Sequence, residues 1–387
     1  MEQVVKTMMA LIKSEVFGTA IGEIPNDILS DDFYLKLYNL SKAHDLAHIV
    51  GSALKKNGIM PEGDIGKKFE KQTFMAVLRY ERLNYEYEQI CATLEKNKIV
   101  YVPLKGSVIR SYYPEAWMRT SCDIDILVRE EDLDSAAEAI CKELGYTSEQ
   151  EKYYHDLSLY SNSGIHLELH FSILEHTECI DKLLSRVWEY CCAVEDGRYK
   201  YLQTNEYLIF HQIAHMLYHF LKGGCGIKPF VDIYLLFDKL EYDDEKLKVY
   251  CDECGISKFY LEVKKLANVW FDSDEHTDLT RQMEEYVFTG GVYGNAVNHA
   301  SVGQAQKGGK LRHIASIVWL PYNTLVLKYP SLERRKWLTW AYQIRRWFRI
   351  FFCGGIKRCV NTLKVNQSVS SEKIDRTNDM LGSLGIL

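Results

Sequence analysis

Two aspartates interrupt an aliphatic run: Asp123 and Asp125 stand among Ile124, Ile126, Leu127 and Val128. On a β-strand, residues two apart project from one face, so the two carboxylates share a side. Unpaired, each would cost several kcal/mol to bury, and the pattern therefore asks for a cation. Further along, Ile165-His166-Leu167-Glu168-Leu169-His170 alternates in the same way, with His166, Glu168 and His170 on one face and the aliphatic residues on the other. Laid beside the Asp-x-Asp strand, this segment brings three carboxylates within reach of one point. Mg2+ (or Mn2+) takes such hard oxygen ligands and is commonly shared with substrate phosphates. Two such ions about 4 Å apart activate an attacking oxygen and stabilise a leaving pyrophosphate. Asp123, Asp125 and Glu168 are thus the expected metal ligands and catalytic residues, with Glu168 acting as a ligand or as the base that takes an acceptor's proton.

Upstream, the turn Lys105-Gly106-Ser107 supplies the elements of a phosphate site. Gly106 lets the backbone approach a phosphate closely, and the N–H groups of Gly106 and Ser107, at a helix start, are expected to point at negative charge. The Ser107 hydroxyl adds a donor, and Lys105 and Arg119 are expected to neutralise charge on a bound triphosphate. Singly these pieces say little, since an edge strand with two solvated aspartates and an ordinary glycine turn would read the same. Their order along the chain is what is specific.

The elements that must hold these residues follow from periodicity. Residues 1–97 read as helical: Leu11, Ile12 and Val16, then Phe33, Leu35, Leu37 and Leu40, and later Phe74, Val77, Leu78, Leu83, Tyr87 and Ile90 approximate 3.6-residue stripes. Gly58, Pro61 and Gly63 break the pattern between two helices. Residues 99–102 are β-rich and run into the glycine turn, followed by a short helix over 108–113 and a strand over 121–128. A helix over 130–144 is closed by Gly145, and two strands, 155–160 and 165–173, flank the hairpin turn Ser161-Asn162-Ser163-Gly164. Beyond residue 174 the patterns are almost wholly helical. The expected architecture is α+β: a helical N-terminal region (1–97), a small mixed-sheet core (98–175), a helical C-terminal domain (176–365), and a linker with a terminal helix (366–387).

This order of strand, Gly-Ser turn, short helix, Asp-x-Asp strand, helix, hairpin and acidic strand resembles the polymerase-β-type nucleotidyltransferase superfamily. More narrowly, it is similar to a bacterial family of uncharacterised nucleotidyltransferases. That family's Leu-Lys-Gly, Tyr-Pro, Arg and Asp-x-Asp-Leu-Leu-Val are met by Leu104-Lys105-Gly106, Tyr113-Pro114, Arg119 and Asp123-Ile124-Asp125-Ile126-Leu127-Val128. Its later acid-x-His is met by Glu168-Leu169-His170. Downstream, His215, Gly226, Lys228 and Asp232 fall on family positions, Lys228 standing where the family has Arg, as do Tyr329-Pro330-Ser331-Leu332 and the Trp- and Arg-rich segment 337–349. Ser107 and Asp123 stand further apart than in many superfamily members. The resemblance implies a nucleotidyltransferase core binding metal and a nucleoside triphosphate such as ATP. The implied reaction moves a nucleoside monophosphate to an acceptor that it does not name. His170, His215, Lys228 and Asp232 would take supporting roles. A non-catalytic member of the same fold, serving as a binding or regulatory protein, is the alternative, and the complete acid triad argues against it.

The rest of the chain bounds the class. Its 387 residues allow two or three domains, and 26 tyrosines with 47% hydrophobic residues argue for packed structure. Eleven cysteines without framework spacing suit reduced thiols, and the lone Cys251-x-x-Cys254 lacks a second pair for zinc. No basic-then-apolar leader opens the chain and no run of ~18 apolar residues appears, so a cytoplasmic protein is expected. His211, His215 and His219 share a helix face with Asp232 downstream, but none of the three is followed directly by Asp, as the adjacent His-Asp pair of metal phosphohydrolases requires. The net charge of −6 conceals a basic stretch, 301–367, with thirteen Lys or Arg against Glu333 alone. Within it, segment 337–352 mixes aromatics with arginines and fits three readings: a helix packed on the body, a contact with a membrane surface, or a contact with nucleic acid. P-loop, kinase and dinucleotide signatures are missing.

Overall fold

The computed structural model describes residues 2–387 apart from 23, 26–27, 149–154, 195–197, 293 and 353–354. The chain divides into two compact units: Met1–Met216 with Ile227–His276, and Leu217–Gly226 with Thr277–Leu387. The boundaries expected at 97 and 175 both fall inside the first unit.

The first unit opens with α1 (Glu2–Phe17), α2 (Asp31–Ala43), α3 (Ala47–Lys56) and the long α4 (Gly63–Lys96). The chain then forms β1 (Tyr101–Pro103), the short α5 (Gly106–Ile109), β2 (Asp123–Val128), α6 (Leu133–Leu144), β3 (Thr147–Ser148), β4 (Asp156–Tyr160) and β5 (His166–His170). After α7 (Glu178–Leu184) come β6 (Cys191–Ala193), β7 (Tyr201–Gln203), α8 (Asn205–Leu221), α9 (Lys228–Lys239), α10 (Asp244–Glu253) and α11 (Ser257–Phe271). Beyond residue 174 the sequence reads as almost wholly helical, so the antiparallel pair β6–β7 is a correction: three-residue strands are too short for an alternation to register.

The main sheet has the order β1-β2-β5-β4-β3, with β2 and β5 parallel and the other pairs antiparallel. It is a mixed sheet flanked by helices, and the fold is α+β. Strand alternation sorts its two faces. Ile124, Ile126, Val128, Leu157, Leu159, Leu167 and Leu169 form one buried core with Leu83, Ile90 and Leu94 of α4 and Leu133, Ala136 and Ile140 of α6. The opposite face carries Asp123, Asp125, Asp156, Ser158, His166, Glu168 and His170. Gly145 closes α6 in the left-handed conformation at φ 72°, where glycine has no Cβ penalty.

Two expectations about helices are corrected. On α4 the buried residues recur as Phe69, Ala76, Leu83 and Ile90, while Phe74 and Leu78 of the expected stripe face solvent. A seven-residue repeat and a 3.6-residue repeat drift apart over a helix of 34 residues, so a stripe set near one end leaves the buried face at the other.

The second unit is helical: α12 (Asp278–Gly290), α13 (Ala296–Lys307), α14 (Lys310–Val318), α15 (Tyr322–Lys328), α16 (Thr339–Phe352), α17 (Ile356–Ser368) and α18 (Ser371–Ser383). The polar stretch from Asn366, expected as a linker, is mostly helix, because Asn366 is buried and its carbonyl and side-chain oxygens accept from Gln304 Nε2 at 2.9 and 3.0 Å. Among the described residues no helix is long and apolar enough to cross a membrane.

Candidate active site

The site grows out of one register. Parallel pairing of β2 with β5 sets Asp123 opposite His166 and Asp125 opposite Glu168. Residues paired across neighbouring strands point to the same face, so the sheet itself gathers the acids. Two donor sets result, Asp123 with His166 and Glu168, and Asp125 with Glu168 and His170, each with its donor atoms within 4.8 Å of one another.

Their neighbours orient them. His170 Nε2 lies 3.0 Å from Asp125 Oδ1 and 3.3 Å from Glu168 Oε2. Burial works against the His170 imidazolium, yet the hydrogen bonds to Asp125 and Glu168 outweigh it and hold the group above its ordinary value. His166 places Nε2 3.0 Å from the Ser158 hydroxyl and stacks on Tyr160, which leaves Nδ1 toward Glu168 at 3.9 Å. A ring nitrogen tied to a partner in this way fixes the tautomer that the other nitrogen presents.

Electrostatics separate the two aspartates. Burial, reinforced by the carboxylates of Asp125 and Glu168, pushes the Asp123 carboxyl up to about 6. Asp125 is also buried, but Lys105 and His170 hold it well below the usual carboxylate range. The Lys105 ammonium donates to Asp125 Oδ1 at 2.9 Å. Asp123, Asp125 and Glu168 face the Lys105 ammonium and the His170 imidazole, which leaves an excess of acid on this face. That balance, with mixed carboxylate and imidazole donors, fits one divalent cation of the magnesium or manganese kind.

The turn before the site departs from expectation. Lys105, not Gly106, has the left-handed backbone, at φ 44° and ψ −120°. The Ser107 N–H donates to the Leu104 carbonyl at 3.0 Å, which closes a type II′ turn with Lys105 at its first central position. The expectation that this N–H points at a phosphate is therefore corrected. Gly106 has a packing reason of its own: a Cβ there would meet Ser121 Cβ at 3.2 Å.

The remaining expected residues form a second network. Arg119 Nε donates to both Asp232 oxygens at 2.8 and 2.9 Å, and the Tyr113 hydroxyl donates to Asp232 Oδ1 at 2.7 Å. Lys228 Nζ bonds Asp45 and the Thr120 carbonyl and hydroxyl, and Thr120 in turn donates to Asp45 at 2.7 Å. Arg119, expected on a triphosphate, thus ends on Asp232, and together with Lys228 it ties the 110–120 segment to α9. His215 Nδ1 lies 2.6 Å from Glu175 Oε1, and His211 Nδ1 bonds the Gln203 side chain, so the histidine row of α8 forms no metal cluster among the described residues. Burial opposes ionisation of Glu175, but His215 holds its carboxyl down at about 2. Cys251 and Cys254 are free and buried. Glu175 and Asp45 were not legible in the sequence: each meets its partner across a long chain separation, and neither stands in a periodic pattern.

Comparison with known proteins follows the same lines. A family model described as uncharacterised nucleotidyltransferase matches residues 34–272, well over half of the chain. No curated protein matches it. Among solved structures, the antibiotic-resistance factor ANT(2'')-Ia in solution is similar at 16% identity and a TM-score of 0.34, over 46% of this chain and 94% of that one. From its sequence match, its sheet and its gathered acids, the chain belongs to the family of uncharacterised nucleotidyltransferases.

Proposed function

We propose that the protein moves a nucleoside monophosphate from a nucleoside triphosphate to an acceptor hydroxyl or phosphate. The acceptor oxygen forms a bond to the α-phosphorus, the bridge to the β-phosphate breaks, and pyrophosphate leaves with the electron pair. The observation that carries this reading is the register that sets Asp125 opposite Glu168, with Asp123 one pleat away on the same face. Asp123, Asp125 and Glu168 would hold Mg2+ or Mn2+, which when bound neutralises phosphate charge and acidifies the attacking oxygen.

The chain's own groups divide the remaining work. Lys105 keeps Asp125 ionised and brings positive charge to the phosphate side. The Ser107 hydroxyl donates to a phosphate oxygen beside Gly106. Glu168, whose side chain is 26% exposed against 6% for Asp125, is the carboxylate open to an acceptor and takes its proton. Arg119, Lys228, Asp232 and His215 position the walls of the site through their ion pairs.

The test is label transfer from α-labelled nucleoside triphosphates, with magnesium or manganese and a cell extract as the source of acceptors. Asp125→Asn, Asp123→Asn and Glu168→Gln should each lower transfer by about a hundredfold or more while leaving the circular dichroism unchanged. A folded wild-type chain that labels nothing would return the protein to the binding or regulatory reading, and an Asp125→Asn chain as active as wild type would take the chemistry away from the acid cluster.

A further inference from the structure

The helix α16 is turned inside out. Its amide Gln343 is fully buried and donates to the Leu320 carbonyl at 2.6 Å. On the same side, Arg346 donates to the carbonyls of Ile317 and Val318, and Trp347 Nε1 donates to Val318 at 3.1 Å. The adjoining face of α16 carries Trp340, Ile344, Phe348, Phe351 and Phe352, and Trp337 lies in the turn just before the helix, all between 48% and 78% exposed. Single exposed apolar residues are ordinary, but a helical row of them at three- and four-residue spacing is a contact surface.

We propose that this face docks on an anionic lipid surface. Interfacial helices of this kind bury Trp, Phe and Leu-like residues at the headgroup boundary while arginines at the edge meet phosphates. Arg345 and Arg349 line one edge of the apolar row, and the surrounding stretch, 301–367, carries thirteen basic residues against one acid. That charge decides between occupants. A second copy packed face to face on this helix would bring the same positive charge to the interface. Single-stranded nucleic acid would satisfy the arginines, but it stacks on aromatic rings set along a basic groove, whereas here the aromatic row is continued by Ile344. A bilayer with anionic headgroups takes aromatic, aliphatic and arginine together.

The experiment mixes the full chain with vesicles of phosphatidylcholine alone and of phosphatidylcholine with an equal part of phosphatidylglycerol, read by co-sedimentation and tryptophan fluorescence. Binding should appear on the anionic vesicles at low salt with a blue-shifted emission, and weaken as salt rises. Trp340→Ser with Phe348→Ser should abolish the blue shift. Arg345→Gln with Arg349→Gln should weaken binding on the order of twenty-five-fold, about fivefold per charge. All four side chains lie outside the catalytic sheet, and an unchanged melting temperature shows that the variants fold. The proposal is overturned by a folded wild-type chain that ignores both vesicles, or by equal binding to both. It is equally overturned by single-stranded RNA binding without vesicle binding, or by a dimer that Trp340→Ser with Phe348→Ser dissociates.

Discussion

At Lys105, backbone strain and charge pairing meet in one residue. A left-handed conformation in a residue with a Cβ costs on the order of 1–3 kcal/mol, and such positions persist where the surroundings over-determine them. Here the surroundings are the Leu104–Ser107 turn bond and the ion pair to Asp125. The two contributions separate in variants. Lys105→Ala loses the pair and keeps the strain, whereas Lys105→Gly loses the pair and relieves the strain. In most positions alanine is the more stable of the two, but here Lys105→Gly should exceed Lys105→Ala by about 1 kcal/mol in urea unfolding. The reverse order would mean that the turn relaxes without the lysine. The sequence places Gly106 at this turn and invites the reading that glycine bends the chain. It could not show that the bend sits one residue earlier, because Gly106 answers to the packing of Ser121, which comes from fifteen residues downstream.

Elements divide cleanly into those legible from the sequence and those that were not. Strand alternation is local, so the faces of β2 and β5, and with them the shared side of Asp123 and Asp125 on one strand and of Glu168 and His170 on the other, followed from residue order alone. The parallel register that aligns those strands did not, nor did the Arg119–Asp232 ion pair and the Tyr113 and Lys228 hydrogen bonds that join the 110–120 segment to α9, whose partners lie more than a hundred residues apart. Those pairs set the next prediction. The Arg119 and Asp232 side chains are 14% and 3% exposed, and removing one member of a buried pair leaves the other uncompensated, at about 3 kcal/mol. Asp232→Asn and Arg119→Gln should each lower the urea midpoint by that order, and the double variant should be far from additive. If Arg119→Gln instead slowed nucleotidyl transfer with unchanged stability, the guanidinium would belong on the triphosphate, as the sequence had suggested.

On the scale of the whole molecule, the stability of the fold should depend on pH through groups outside the acid cluster as well as within it. His48 is buried, with Nε2 against the Met118 carbonyl at 2.8 Å and the Trp117 ring beside it. Burial pushes its imidazole down to about 4, with Asp45 opposing and Lys228 and Arg79 adding to the fall. An unfolded histidine titrates near 6.5, so between pH 6.5 and 4 the unfolded chain holds more protons and stability drops as the solution is acidified. Glu175, held at about 2, contributes only below about pH 4.5, where its unfolded counterpart begins to protonate. Asp123 and His170, both shifted upward, act in the opposite sense and gain stability on acidification. The net profile of the wild-type chain therefore mixes signs, and a difference between two chains isolates His48. His48→Gln keeps a donor for the Met118 carbonyl and removes the titration. Between pH 7 and pH 5 its unfolding free energy should fall by about 2 kcal/mol less than that of the wild type, since distant groups cancel in the subtraction and the neighbouring Asp45, where burial is outweighed chiefly by Lys228 and the carboxyl is held below its ordinary value, stays ionised across this window. Two parallel profiles would mean that His48 ionises in the folded protein as freely as in the unfolded chain, and that its burial beside Met118 and Trp117 carries no electrostatic penalty.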